Sequence, residues 1–131
     1  MRSQSENLMP ENSPAETRPI ELLTDNGYSI WRLWEINREP LPVTGKYNFL
    51  VRNPDSLERD ILVEIADELF VIIDLKTERR IRPGSTYWIC CAERHLSTYL
   101  WENDDYPPGD KLDVARLDPE DVMTAIRWGR A

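Results

Sequence analysis

The stretch PDSLERDILVEIADELFVIIDLKTERR, from Pro54 to Arg80, decides the fold. A continuous helix there, and a helix that gives way to a strand, lead to different architectures. Asn53-Pro54-Asp55 supplies a capping residue, a proline and an acid in the order that opens a helix. Asp60, Glu64, Asp67, Asp74 and Glu78 draw one polar stripe at helical spacing. Leu57, Ile61, Leu62, Ile65, Leu69, Ile72 and Ile73 fill the opposite side. The run Phe70–Ile73 is β-prone, but the stripe favours a single long helix from Pro54 to about Arg80.

Toward the C-terminus, Pro83-Gly84-Ser85 breaks the chain, and Ser85 caps a second helix over Thr86–Glu102. Asn103 to Gly109 is a loop by composition. Asp118-Pro119-Glu120-Asp121 then opens the last helix: a cap, a proline at the first position and two acids at the positive end of the helix dipole. Val122, Met123 and Ile126 form its expected apolar edge.

Toward the N-terminus, Tyr47–Val51 reads as a short strand, preceded by an extended loop at Pro40 and Pro42. Asp25-Asn26-Gly27 can close a hairpin between Ile20–Thr24 and Tyr28–Leu33. Ile30, Trp31, Leu33 and Trp34 fit a helical face equally well, and a helix from Tyr28 to Arg38 is preferred. Residues 1–18, rich in Ser, Glu, Asn and Pro, read as a disordered tail, and 19–131 as a single globular domain. The expected fold is mainly α, a compact bundle of about four helices. The alternative is α+β, with residues 20–51 in a small antiparallel sheet.

The chain has 131 residues, 40% of them hydrophobic and 31% charged, which suits one globular domain. A formal net charge of −8 opposes long-range attraction to DNA, RNA or anionic membranes. No signal-like apolar core precedes residue 19, and the longest apolar run, Leu69–Ile73, is closed by Glu68 and Asp74. The expected location is therefore cytoplasmic, with Cys90 and Cys91 reduced.

Side-chain chemistry beyond carboxylates is concentrated between Tyr87 and Tyr106, which contains both cysteines and the single histidine. On a helix Cys91 and His95 share a face, while Cys90 points about 100° away. Two ligands do not complete a structural zinc shell. A thiolate nucleophile needs a third group to orient the imidazole, and Glu93 lies on the wrong side. The same positions, with Trp88, Ala92, Leu96 and Tyr99, form an ordinary apolar face.

Two charge clusters offer alternatives. Asp104, Asp105, Asp110 and Asp113 lack the glutamate that closes an EF-hand loop, since Val114, Ala115 or Arg116 stands there. Lys76, Arg79, Arg80 and Arg82 could grip a phosphate or an acidic partner, or complement the negative end of the long helix. Scattered single glycines exclude a P-loop and a dinucleotide fingerprint, and neither GxSxG nor HExxH is present. No cofactor is expected.

The leading expectation is a non-catalytic cytosolic protein that binds a protein partner or itself, as a homodimer, through Trp101, Trp128 and the basic cluster. One alternative is a thiol- or metal-dependent enzyme using Cys91 and His95. The other is a nucleic-acid-linked regulator using Lys76–Arg82, although the charge balance disfavours nucleic acid and no membrane contact is expected.

Overall fold

Asn53 caps a turn, not a helix. Its Oδ1 accepts the backbone N–H groups of Asp55 at 3.0 Å and Leu57 at 2.9 Å, reversing the chain into a strand. The computed structural model describes residues 19–130, so the expected tail at 1–18 lies outside the described residues. The chain order is β1 (Glu21–Leu23), β2 (Ser29–Arg32), α1 (Leu33–Ile36), β3 (Lys46–Arg52), β4 (Glu58–Ile65), α2 (Asp67–Lys76), α3 (Thr86–Asn103), β5 (Lys111–Val114) and α4 (Pro119–Gly129).

The mainly-α expectation is overturned. Among the described residues, five strands form one mixed sheet in the order β1-β2-β3-β4-β5. The first four pair antiparallel; β5 runs parallel to β4, after a crossover that carries α2 and α3. This is the α+β alternative, enlarged: the sheet reaches well past residue 51.

The single long helix over 54–80 is two elements. Ile61, Val63 and Ile65 alternate inward along β4, opposite Phe49 and Tyr47 of β3. Asp60 and Glu64, four residues apart, sit on one face of a strand as readily as on one face of a helix. A spacing of four satisfies both periods, and the β-branched residues Ile61, Val63 and Ile65 take the extended form. The helix begins only after Ala66, with Asp67 and Glu68 in its first turn.

The expected helix from Tyr28 to Arg38 is mostly strand. Gly27, at φ 94°, closes the β1–β2 hairpin, where Thr24 and Tyr28 exchange backbone and hydroxyl hydrogen bonds. Helical backbone is confined to the single turn α1. The helix capped by Ser85 is present as expected, with Ser85 Oγ accepting the Tyr87 N–H at 3.0 Å.

The inward sheet residues Ile30, Tyr47, Phe49, Val51, Ile61, Val63 and Ile65 join Trp88, Ala92, Leu96 and Leu100 of α3 in one core. The other sheet face carries half-exposed Trp31, Leu50 and Leu62 among charged residues. Arg32, at the end of β2, ties the sheet to α3 through a forked ion pair with Glu93 at 2.8 and 3.0 Å. No helix among the described residues is long and apolar enough to cross a membrane.

Candidate functional site

The α3–α4 junction gathers the reactive side chains. Asp118 and Asp121 form a reciprocal capping box at the start of α4: Asp121 N–H donates to Asp118 Oδ1 at 2.9 Å, and Asp118 N–H donates to Asp121 Oδ2 at 2.9 Å. Pro119 at the first helical position fixes the backbone for this exchange. The box turns the buried Asp121 carboxylate toward α3.

Three residues of α3 meet that carboxylate. His95 Nε2 lies 2.9 Å from Oδ2. Arg94 Nη2 pairs with Oδ1, and also reaches both Asp118 carboxylate oxygens at 3.0 Å. Cys91 Sγ donates to Oδ1 at 3.6 Å. Tyr87 O–H donates to the Asp121 backbone carbonyl at 2.8 Å. Cys91 and His95 do come together, but around a third residue from a different helix, which the sequence reading took only for a helix start. The signal was the acid three residues after Asp118, whose spacing makes it a box partner.

The electrostatics follow from this geometry. Burial alone would raise the Asp121 carboxyl, but the hydrogen bonds of His95, the Asp118 N–H and Arg94 outweigh it and hold the group well below the ordinary carboxylate range. Burial, and then the Asp121 charge beside it, push the Cys91 thiol far above its ordinary value. An activated thiolate needs the opposite surroundings. A nucleophilic triad also places imidazole between thiol and acid; here the acid stands between thiol and imidazole.

The donor atoms of Cys91, His95 and Asp121 all lie within 4.8 Å of one another, and sulfur, nitrogen and oxygen together suit zinc. The fit fails on occupancy. Each Asp121 oxygen already accepts two donors, and both the Arg94 guanidinium and the N-terminus of α4 direct positive charge at the same carboxylate. The cluster is built to join two helices. A cleft of about 200 Å³ beside it is lined by Arg94, His95, Tyr99, Glu102, Asp113 and Asp118.

The remaining predicted residues are scattered. Trp101 is 55% exposed and Trp128 40% exposed, but they lie at opposite ends of α3: Trp128 packs edge-on against Tyr87 near the start, with ring centroids 5.9 Å apart. The fourteen positions from Tyr87 to Trp101 span about 21 Å at ~1.5 Å per residue, so the tryptophans make no joint patch. Trp101 instead flanks a cleft of about 290 Å³ with Leu22 and Leu23.

The basic cluster surrounds two helix C-termini. Arg80 Nη1 donates to the Gly129 carbonyl at the end of α4 at 3.4 Å, and Lys76 occupies the last turn of α2. Arg79 approaches Asp74 at 4.0 Å and Arg80 approaches Glu78 at 3.9 Å. Much of the cluster's charge is thus answered by carboxylates and helix ends. In the acidic loop, Asp110 pairs with Arg59 at 3.3 Å and Asp113 with Lys111 at 3.5 Å, and among the described residues no three carboxylates converge there.

The sequence reading missed the outward face of α2. Leu69 and Ile73 point into the core, while Val71 and Leu75 on the opposite side are 60% and 69% exposed, and Ile72 beside them is 38% exposed. No family model matches the chain, and comparisons with curated proteins and with solved structures found no match.

Proposed function

We propose that this chain is a non-catalytic interaction protein that binds another protein through the outward face of α2 and the basic segment at its end. One observation carries the reading: on the side of α2 turned away from buried Leu69 and Ile73, Val71 and Leu75 are left largely exposed, with Ile72 beside them. Exposed apolar side chains gathered on one helix face mark an interaction surface. Removing Val71 and Leu75 from water would favour association by roughly 1.5–3 kcal/mol for each side chain fully buried. Lys76 in the last turn of α2, and Arg79, Arg80 and Arg82 after it in the chain, would supply a basic flank to such a patch.

Catalysis by Cys91 and His95 is the weaker reading, because both are committed to Asp121 and the thiol is held protonated. Nucleic-acid binding is weaker too, since the cluster is partly neutralised by Asp74 and Glu78 in an acidic chain.

The test is a photo-crosslinking residue, benzoylphenylalanine, placed at Leu75 in the full chain expressed in cells, with Asn48 on the open sheet face as the control position. Discrete adducts from Leu75 that are absent from Asn48 are expected. Equal yields from both positions would overturn the reading.

A further inference from the structure

We infer that the cleft between the edge strand β1 and α3 takes a basic, extended segment of another protein, which adds to the sheet beside β1. The inference does not depend on the α2 face, none of whose residues lines this cleft. The inner side of the sheet is open here. Leu22 stands opposite buried Ile30 and so faces inward, yet it is 37% exposed. With Leu23, Ser97 and Trp101 it bounds the cleft of about 290 Å³.

Backbone hydrogen bonding specifies the form of the occupant. Among the described residues, β1 is the last strand on its side of the sheet. Thr24 N–H donates to the Tyr28 carbonyl at 2.8 Å, and opposed residues alternate between bonded and unbonded pairs along an antiparallel ladder. Leu22 therefore bonds to Ile30, while Glu21 and Leu23 turn their N–H and C=O groups to the open edge. A strand laid there gains main-chain hydrogen bonds, and its alternate side chains point into the cleft.

Charge specifies the occupant's composition. Asp25 lines the cleft, and no lysine, arginine or histidine does. Asn26 Nδ2 donates to the Leu100 carbonyl at 3.0 Å and to Asp104 Oδ1 at 3.4 Å, which holds the hairpin turn against the C-terminal end of α3. Asp104, and Asp25 beside Asn26, thus add negative charge at the negative end of that helix's dipole, where a cation is favoured. Among the described residues neither carboxylate makes an ion pair. A lysine or arginine side chain meets both demands. Its methylene stem packs on Leu22 and Trp101, and its charged head reaches Asp25.

Fluorescence anisotropy of the labelled peptide Lys-Val-Lys-Val-Lys-Val-Lys, titrated with the full chain, tests this. Saturable binding is expected with a Kd on the order of 0.1 mM, since β1 offers only three residues. The same peptide with Glu in place of every Lys, or with an N-methylated backbone, should bind at least about tenfold more weakly. Asp25→Lys should weaken the Lys peptide about tenfold and strengthen the Glu peptide. Trp101→Ala should also weaken the Lys peptide about tenfold, without lowering Tm, because the ring is already 55% exposed. Glu68→Lys makes the same change of charge outside the cleft and should leave the Kd within about twofold. A loss at Glu68→Lys equal to that at Asp25→Lys would make net charge the cause and overturn the site. Unweakened binding of the N-methylated peptide, or of the Lys peptide to Trp101→Ala, overturns it as well, as does the absence of saturable binding up to about 2 mM.

Discussion

His95 Nε2 on α3 meets Asp121 Oδ2 in the first turn of α4 at 2.9 Å, and through this contact the last helix is fastened to the body of the fold. Its carboxylate is buried, so every donor it accepts has given up water to reach it. Asp121→Ala removes the acceptor for Arg94, His95, Cys91 and the Asp118 N–H together. The expected loss is about 3 kcal/mol, from stranded buried donors and a lost cap. Urea unfolding measures it. Asp118→Ala, at a more exposed carboxylate, should cost less; an equal or larger cost would refute the ranking.

The same carboxylate makes stability depend on acid. Its folded value lies below the ordinary range, so its contribution is present above about pH 4, the usual unfolded value for aspartate. Protonation takes that contribution away as pH falls below this point toward the lower folded value. Wild type and Asp121→Asn should therefore differ most near neutral pH and converge progressively below about pH 4. Urea midpoints at a series of pH values report the difference. A gap that widens on acidification would contradict the role assigned to Asp121.

Much of this junction was legible in the sequence, but its meaning was not. Ser85 and Asp118 stand where their composition placed them, because caps are local events fixed by a few neighbouring residues. The Cys91–His95 face was also legible from helical spacing. Asp121 was not, since only tertiary packing brings position 121 to position 95. The largest error has the same origin. Asp60 and Glu64 satisfy both periods, and the choice between them depends on β3 lying alongside to pair with β4. The strand β5 offered almost no signal: Lys111–Val114 is short, lies at the sheet edge and pairs parallel with a strand distant in sequence. Conversely, the apolar run Leu69–Ile73 of α2 was visible in the letters, but it was absorbed into the supposed long helix.

Thiol reactivity distinguishes the joining role from the enzymatic one. Cys91 is buried and its thiol is pushed up by burial and by Asp121; Cys90 is half-buried, raised by burial and then by Glu93. Iodoacetamide at pH 8 should label Cys90 slowly and leave Cys91 untouched until the protein unfolds. Peptide mass mapping after timed quenching gives both rates. Faster native labelling at Cys91 than at Cys90 would revive the nucleophile reading.

The Arg32–Glu93 pair makes a second, independent fastening, this time between β2 and α3. Both side chains are only 12% exposed, and the guanidinium meets the carboxylate through two donors, Nε at 2.8 Å and Nη2 at 3.0 Å. Such a pair is worth little more than apolar packing when intact, but removing one partner leaves the other charged and poorly solvated. Glu93→Ala should therefore cost about 3 kcal/mol, while the double variant Arg32→Met, Glu93→Leu should recover most of that loss. Arg32 also touches Glu35 at 3.4 Å, so an outlet for its charge remains, and the single-variant cost should stay below the upper end of the range for isolated buried ions. Urea unfolding of Arg32→Met, Glu93→Leu and the double variant made from them gives the coupling directly. Additive losses would mean that the pair is not coupled and that β2 and α3 are held together by the apolar core alone.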